Sequence, residues 1–347
     1  MSEKRVGVTM PMVRQPLRKF PLMAKAAEDA GFDSVWDYEV YENPLLVLAT
    51  AALATERIEL GTGLATALSR SPFELANAAA DVDQLSDGRL LLGVGLGIPG
   101  LMQTLHGADV DRPLRRMREY ATALRLAWAY LSDQEPAEFV GDHYRFVTPP
   151  FNPLGARSMA RVPPLYLGGM NPRMIELAGE LGDGLMGGGY SRRFVEETVL
   201  PRLAAGAERG GKPPEEVEFV CQVICCVSPD RAEALRRARI HVGQLVANPV
   251  QDGIVAAHGL EAEVLAVRES IARHGVEALE DVTDDRLVET FSIAGTPEEC
   301  REQLRAWHEL CPHVMLHTPY VPPLTPEETE DAFHQIVAAF ARTPAAG

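Results

Sequence analysis

No run of about 18 uninterrupted apolar residues occurs in this chain, so a membrane-spanning helix is not expected. Cysteine is sparse. The five at Cys221, Cys225, Cys226, Cys300 and Cys311 are odd in number and form no C-x-x-C pair, which argues against a zinc site and for reduced structural thiols. Positive charge is also short, with 33 Lys and Arg against 49 Asp and Glu. The resulting net charge of -16 repels a phosphate backbone, and no basic block offsets it, so nucleic acid is a poor partner. There is no H-E-x-x-H, no serine elbow and no metal-like histidine cluster, which disfavours metal and acyl-enzyme chemistry. The apolar stretch after the charged start, Met1 to Arg5, is too short for a signal-peptide core and meets Pro11. A cytoplasmic protein is expected.

What is present is ordinary globular material. Hydrophobic residues make up 46% of the 347 and charged residues 24%, enough for a closed core in one domain. Short β-rich runs alternate with helical patterns from end to end, the mark of repeated βα units and a parallel sheet. Eight strands are predicted: Arg5 to Thr9, Ser34 to Asp37, Ile58 to Thr62, Leu90 to Gly95, Leu165 to Gly168, Gly184 to Gly187, Val217 to Val227 and Val314 to His317. Near-continuous apolar runs such as Leu90-Leu91-Leu92-Gly93-Val94 suit strands covered on both faces. Eight such units predict an α/β fold, a (β/α)₈ TIM barrel with insertions.

Helix starts are well signed. Ser71-Pro72-Phe73-Glu74, Thr296-Pro297-Glu298-Glu299 and Thr325-Pro326-Glu327-Glu328 each supply a capping hydroxyl, a first-turn proline and the glutamate of a capping box. A helix from about Pro21 to Gly31 carries Phe20, Ala24 and Ala27 on one apolar face. Two regions break the βα rhythm. Residues 132–164, rich in Pro and Gly, predict a loop excursion over the barrel mouth, and 247–285 a mainly helical insertion.

Several turns could carry chemistry. In Leu165-Tyr166-Leu167-Gly168-Gly169-Met170-Asn171-Pro172 a strand feeds a helix with Asn171 as N-cap, so backbone N–H groups near Gly169 to Asn171 could bind phosphate. A well-capped turn in which glycine only relieves crowding reads equally well. Gly187-Gly188-Gly189 ends the next strand, where glycine permits close backbone approach to a ligand or simply makes a flexible loop. Gly61-Thr62-Gly63-Leu64-Ala65-Thr66 could shape a bulge under a planar ring, or be a plain turn. Gly93-Val94-Gly95-Leu96-Gly97 matches half of a dinucleotide fingerprint, but Ile98-Pro99-Gly100 does not open a helix in register, so a Rossmann reading is rejected. Asp37, Tyr38 and Glu39 close the second strand and His317 the last, at the face where barrels place catalytic groups. A helix cap, a surface ion pair or a hydrogen-bonded structural histidine would look the same.

In order along the chain, these segments resemble the luciferase-like monooxygenase superfamily, in particular its coenzyme F420-dependent branch. The resemblance rests on Ala26-Ala27-Glu28-Asp29-Ala30-Gly31-Phe32-Asp33-Ser34-Val35-Trp36, Ala54-Thr55-Glu56-Arg57-Ile58-Glu59-Leu60-Gly61-Thr62-Gly63, Leu85-Ser86-Asp87-Gly88-Arg89-Leu90 through Gly97, Leu177-Ala178-Gly179-Glu180-Leu181-Gly182-Asp183-Gly184 and Ile293-Ala294-Gly295-Thr296-Pro297. It implies a non-prolyl cis peptide at Gly63-Leu64 behind a flavin-like ring. It also implies that Asp37 and Thr66 contact the ring or its side chain, that Leu96 and Gly97 line it, and that Gly168, Gly169, Met170, Asn171, Gly187 and Gly188 hold phosphate.

Where the family's F420-dependent sugar-phosphate dehydrogenases carry a histidine and a glutamate, this chain has Tyr38 and Ile98. That departure favours a reductase or a tailoring role over a sugar-alcohol dehydrogenase. Tyr38, Glu39 and His317, then His106 and Tyr190, are the candidate proton donors. The turns after the fifth and sixth strands look like those of methylenetetrahydromethanopterin reductase, which implies F420 as the hydride carrier. The alternatives are an FMN-dependent monooxygenase and a non-catalytic flavin-binding barrel. A small-molecule substrate, set by the loops at 98–111, 132–164 and 247–285, and a homodimer are expected.

Overall fold

A computed structural model describes residues 4–11, 15–40, 42–133, 136–150, 156–157, 159 and 161–342. The Ala/Pro tail from Pro344 and parts of the 132–164 excursion lie outside the described residues. Twelve strands are described: β1 Arg5–Thr9, β2 Ser34–Asp37, β3 Glu59–Thr62, β4 Ala65–Thr66, β5 Leu90–Gly95, β6 Glu138–Val140, β7 Arg145–Val147, β8 Leu165–Gly168, β9 Gly184–Gly188, β10 Glu218–Val227, β11 Ser292–Gly295 and β12 His313–His317. The eight predicted strands are β1, β2, β3, β5, β8, β9, β10 and β12. Alternating with helices along the chain, they give the (β/α)₈ barrel class.

The chain divides into two compact units, one of residues 1–36, 187–201 and 219–347, the other of 37–186 and 202–218. In the first, parallel strands run in the order β11-β10-β12-β1-β2, with Val8 level with Leu316 and Val35. β11 is a strand the sequence reading passed over. It pairs with the far end of the long β10, Cys225 against Ile293, and four residues between two helices leave little periodicity to detect. In the second unit the order is β3-β5-β8-β9, also parallel, with β4 beside β5. β6 and β7 form an antiparallel hairpin inside the 132–164 excursion.

Burial explains the strand signal. All six residues of β5 are buried, and each fully enclosed Leu or Val of such a strand contributes about 1.5–3 kcal/mol. Phe20, Ala24 and Ala27 are fully buried along the helix Phe20–Asp29, which turns out through Gly31 at φ 81°. Two of the three predicted capping boxes are complete, at Thr296/Glu299 and Thr325/Glu328. At Ser71 only the hydroxyl half forms, accepting the Glu74 N–H at 3.1 Å. The Glu74 carboxylate lies instead 3.4 Å from the Arg70 guanidinium. The 247–285 stretch is helical, through Asp252–His258, Glu261–His274 and Leu279–Val282. Among the described residues no helix is long and apolar enough to cross a membrane.

Candidate functional site

In the second unit the end of β2 organises the loop after β3. Asp37 accepts the Gly63 N–H on its carbonyl at 2.6 Å, and the Glu39 N–H donates to the Leu64 carbonyl at 3.1 Å. The Gly63-Leu64 peptide between these bonds is cis, where the resemblance implied. The Leu64 side chain then lies against the strand glycines. A Cβ at Gly95 would come within 2.5 Å of it and one at Gly93 within 3.0 Å, and Gly168 is filled by the same side chain. Glycine at 95 and 168 makes room for this leucine, whereas at Gly93 the closer obstacle to a Cβ is the Thr62 carbonyl of the neighbouring strand.

The Asp37 side chain is completely buried. Its Oδ1 accepts the Tyr38 N–H at 3.0 Å, and its Oδ2 has no hydrogen-bond partner among the described residues. Burial pushes the carboxyl well above the usual range; the Tyr38 amide pulls it back in part and Glu42 adds to the rise. Burial thus shifts the balance toward the neutral acid, which has a proton to donate.

Glu39 is committed elsewhere. Its carboxylate takes both arms of Arg70, at 2.7 and 2.8 Å, and accepts the Thr66 N–H at 2.7 Å. The Thr66 hydroxyl bonds Ser69 at 2.6 Å. Tyr38 is buried, and Gly97 is exposed at φ 78° with Met102, not Leu64, over its Cβ position. Leu96 is half-buried beside it, and His106 is exposed at the end of its helix. Asn171 caps the helix Pro172–Leu181 through its side chain, 3.0 Å from the Met174 N–H. Gly168, Gly169 and Met170 are half-buried, and the exposed Asn171-Pro172-Arg173 places an arginine in the first turn.

In the first unit Gly187 and Gly188 make room for this chain's own side chains: the Tyr190 ring over Gly187 and Gln222 over Gly188. Tyr190 is buried, 5.5 Å from the Phe194 ring and 6.3 Å from Phe219, and burial raises its hydroxyl pKa. His317 is buried with its Nδ1 2.7 Å from the Gln222 amide and 3.1 Å from the Thr9 hydroxyl. Its ring lies 5.1 Å from His241 and 5.5 Å from Tyr320, both edge-on. Burial pushes His317 well below the ordinary histidine value, with His241 adding to the effect, and pushes His241 down to about 3. Both imidazoles are therefore neutral near pH 7.

Thus Asp37, Gly63, Leu64, Thr66 and Gly168 converge in one unit, whereas in the other Gly188 and His317 gather around Gln222 and Gly187 lies under Tyr190. Gln222, His241 and Gln251 escaped the sequence reading. Only Gln222 carried a signal, as a lone amide inside the apolar run Phe219-Val220-Cys221-Gln222-Val223-Ile224.

Residues 4–313 match the family described as luciferase-like monooxygenase. A 5,10-methylenetetrahydromethanopterin reductase of Methanolobus tindarius is 31% identical over 297 residues, 83% of this chain and 86% of its own. Among solved structures, the coenzyme F420-dependent tetrahydromethanopterin reductase of Methanopyrus kandleri superposes with a TM-score of 0.82 at 22% identity, covering 97% of this chain and 98% of that one. An F420-dependent secondary alcohol dehydrogenase holding an F420-acetone adduct gives 0.75 at 21% identity, covering 99% and 100%.

Proposed function

This chain belongs to the luciferase-like monooxygenase family, and we propose that within it the protein is an F420-dependent oxidoreductase working in the reductase direction on a small organic molecule. The methylenetetrahydromethanopterin reductase relatives and the F420-dependent proteins that share its fold support this reading over an FMN monooxygenase. The observation that carries it is the junction of β2 with the loop after β3. There the Gly63-Leu64 backbone is held from both sides, and a buried carboxyl beside it keeps one oxygen unpartnered.

Those residues fit a deazaflavin. Leu64, wedged against Gly93, Gly95 and Gly168, makes a stiff apolar backing for a planar ring. Asp37 in its neutral form can donate to a polar atom on the ring edge, and the capped turn Gly168-Gly169-Met170-Asn171 with Arg173 can hold a phosphate. When bound, the coenzyme supplies a two-electron hydride carrier; the protein orients the reactants and excludes water. Tyr38 stands where sugar-phosphate dehydrogenases of this family have histidine, which is why a reductase is preferred. Tyr38 and His317 are the proposed groups for holding or passing a proton, whereas Glu39 serves structure. A homodimer belongs to the same proposal, and light scattering tests it.

The decisive experiment is a fluorescence and equilibrium-dialysis titration of the purified protein with F420 and, separately, FMN. Micromolar or tighter binding of F420 with weak FMN binding is expected. The reverse preference would replace the reading with an oxygen-using monooxygenase, and failure of both would remove the cofactor site.

A further inference from the structure

The first unit contains buried polar atoms that the fold itself does not satisfy. Gln251 is fully buried, and both its Nε2 and its Oε1 lack a hydrogen-bond partner among the described residues. His241 Nδ1 is buried and also has no partner among the described residues. A buried carboxamide with neither donor nor acceptor satisfied is costly and rare in folded proteins. Its retention calls for a reason outside the fold.

These groups are linked through their neighbours. A Cβ on Gly189 would meet the Gln251 Nε2 at 2.5 Å and the Leu245 side chain at 3.1 Å. Leu245 follows His241 by one turn of the helix Arg231–Ala247, so the two share a face. His241 in turn touches the His317 and Tyr320 rings, and His317 bonds Gln222, which covers Gly188. Gly188-Gly189 thus lies between Gln222, bonded to His317, and Gln251, while His241 packs on the His317 and Tyr320 rings, and burial holds both imidazoles neutral near pH 7.

We propose that Gln251 is a substrate-reading site that takes a neutral, planar donor–acceptor edge of the amide or lactam type. A carboxamide offers an N–H and a C=O side by side, and its complement is a group presenting a C=O and an N–H in the same plane. An ionised carboxylate offers acceptors only, so it would leave the Gln251 Oε1 facing a lone pair. A ketone or ether would satisfy one atom and strand the other. Such a site rejects analogues lacking the donor more strongly than an apolar pocket rejects a change of size. This proposal rests on the oxidoreductase reading for the identity of the bound molecule as substrate, but the recognition chemistry stands on Gln251 alone.

The test uses the full chain, with and without F420, titrated by saturation-transfer NMR with 2-piperidone, N-methyl-2-piperidone and propionate. The wild type should bind 2-piperidone about tenfold more tightly than the N-methyl compound or propionate. Gln251→Leu should lose that preference, bind F420 as the wild type does, and melt at the same or a higher temperature, because leucine removes two unsatisfied buried atoms at nearly constant volume. Equal binding of 2-piperidone and its N-methyl derivative, or unchanged binding in Gln251→Leu, would overturn the proposal. So would a melting temperature lowered by several degrees, which would show that the amide is paired within the fold. If F420 fails to bind while the Gln251-dependent preference remains, the cofactor reading is lost and the recognition site survives.

Discussion

Glu39 and Arg70 form a two-armed ion pair across 31 residues, at 2.7 and 2.8 Å, and the same carboxylate accepts the Thr66 amide. Both side chains are only 12% exposed. Little water is left to solvate either charge alone. Removing one partner strands the other, which typically costs about 3–5 kcal/mol when fully buried and less at partial exposure.

Glu39→Ala should therefore lower stability by about 2–4 kcal/mol in urea unfolding, with F420 affinity reduced through the loosened Thr66 turn. Glu39→Gln keeps the shape and the bonds to one oxygen, although its NH2 cannot accept from Arg70, so it should lose somewhat less stability than Glu39→Ala and leave the pH dependence of turnover unchanged. A shift of the activity profile in Glu39→Gln would show instead that this carboxylate handles a proton.

Asp37 makes a prediction of opposite sign. Its folded pKa is raised above the unfolded value near 3.8, so the group's favourable contribution is complete below about pH 3.8 and is lost as pH rises toward the folded pKa. At pH 7 to 8 Asp37→Asn should be more stable than the wild type, and the difference should shrink toward pH 4. Asparagine also keeps a donor where the neutral acid had one, so F420 affinity should hold within a few-fold. Asp37→Ala should lose it by about tenfold or more. Denaturant curves at two pH values and a fluorescence titration check both halves, and loss of F420 binding in Asp37→Asn would show that the ionised form is the one required.

Asp37 and Glu39 also show how far the sequence could be read. Both stood out as acids at the end of a strand. What separates them is Arg70, 31 residues away, and the burial of one carboxyl without a counterion, neither of which appears in local pattern. The strands were legible because residues covered on both faces must be continuously apolar, and three helix starts because the Ser/Thr-Pro-x-Glu pattern is chemically demanding. At Ser71 even that pattern was half overruled, since Arg70 competes for Glu74. His241 and Gln251 carried no signal, because an amide or imidazole on a mixed helix becomes informative only once its burial is known.

Neutral histidines set the acid behaviour. His241 is pushed by burial to about 3 and His317 well below its ordinary value of 6.5. For a group whose folded pKa is depressed, the stabilising contribution is present above the unfolded pKa and lost as pH falls through the folded one. Stability should thus decline from about pH 6.5 toward pH 3, with part of the slope removed in His241→Gln. Turnover should show no histidine titration between pH 6 and 8. A bell-shaped profile that vanishes in His317→Gln would mean that His317 is charged in the resting enzyme.

The glycines beside Leu64 provide the strictest test of the ring backing. A Cβ on Gly95 would lie 2.5 Å from Leu64 Cδ1, whereas one on Gly100, in the helix Pro99–His106, meets nothing within 4 Å. Gly95→Ala must displace the leucine or the strand, and overpacking of this kind costs about 1–3 kcal/mol. Gly100→Ala should instead be neutral or stabilise by about 0.5–1 kcal/mol, since alanine favours the helix. If the leucine is the obstacle, trimming it makes room: Gly95→Ala combined with Leu64→Ala should be less destabilised than the sum of the two single changes. F420 affinity separates packing from function. Should Leu64 back the ring, both single variants and the pair weaken coenzyme binding while Gly100→Ala does not; if the double variant recovers stability and binding alike, the side chain serves packing only and the ring rests elsewhere.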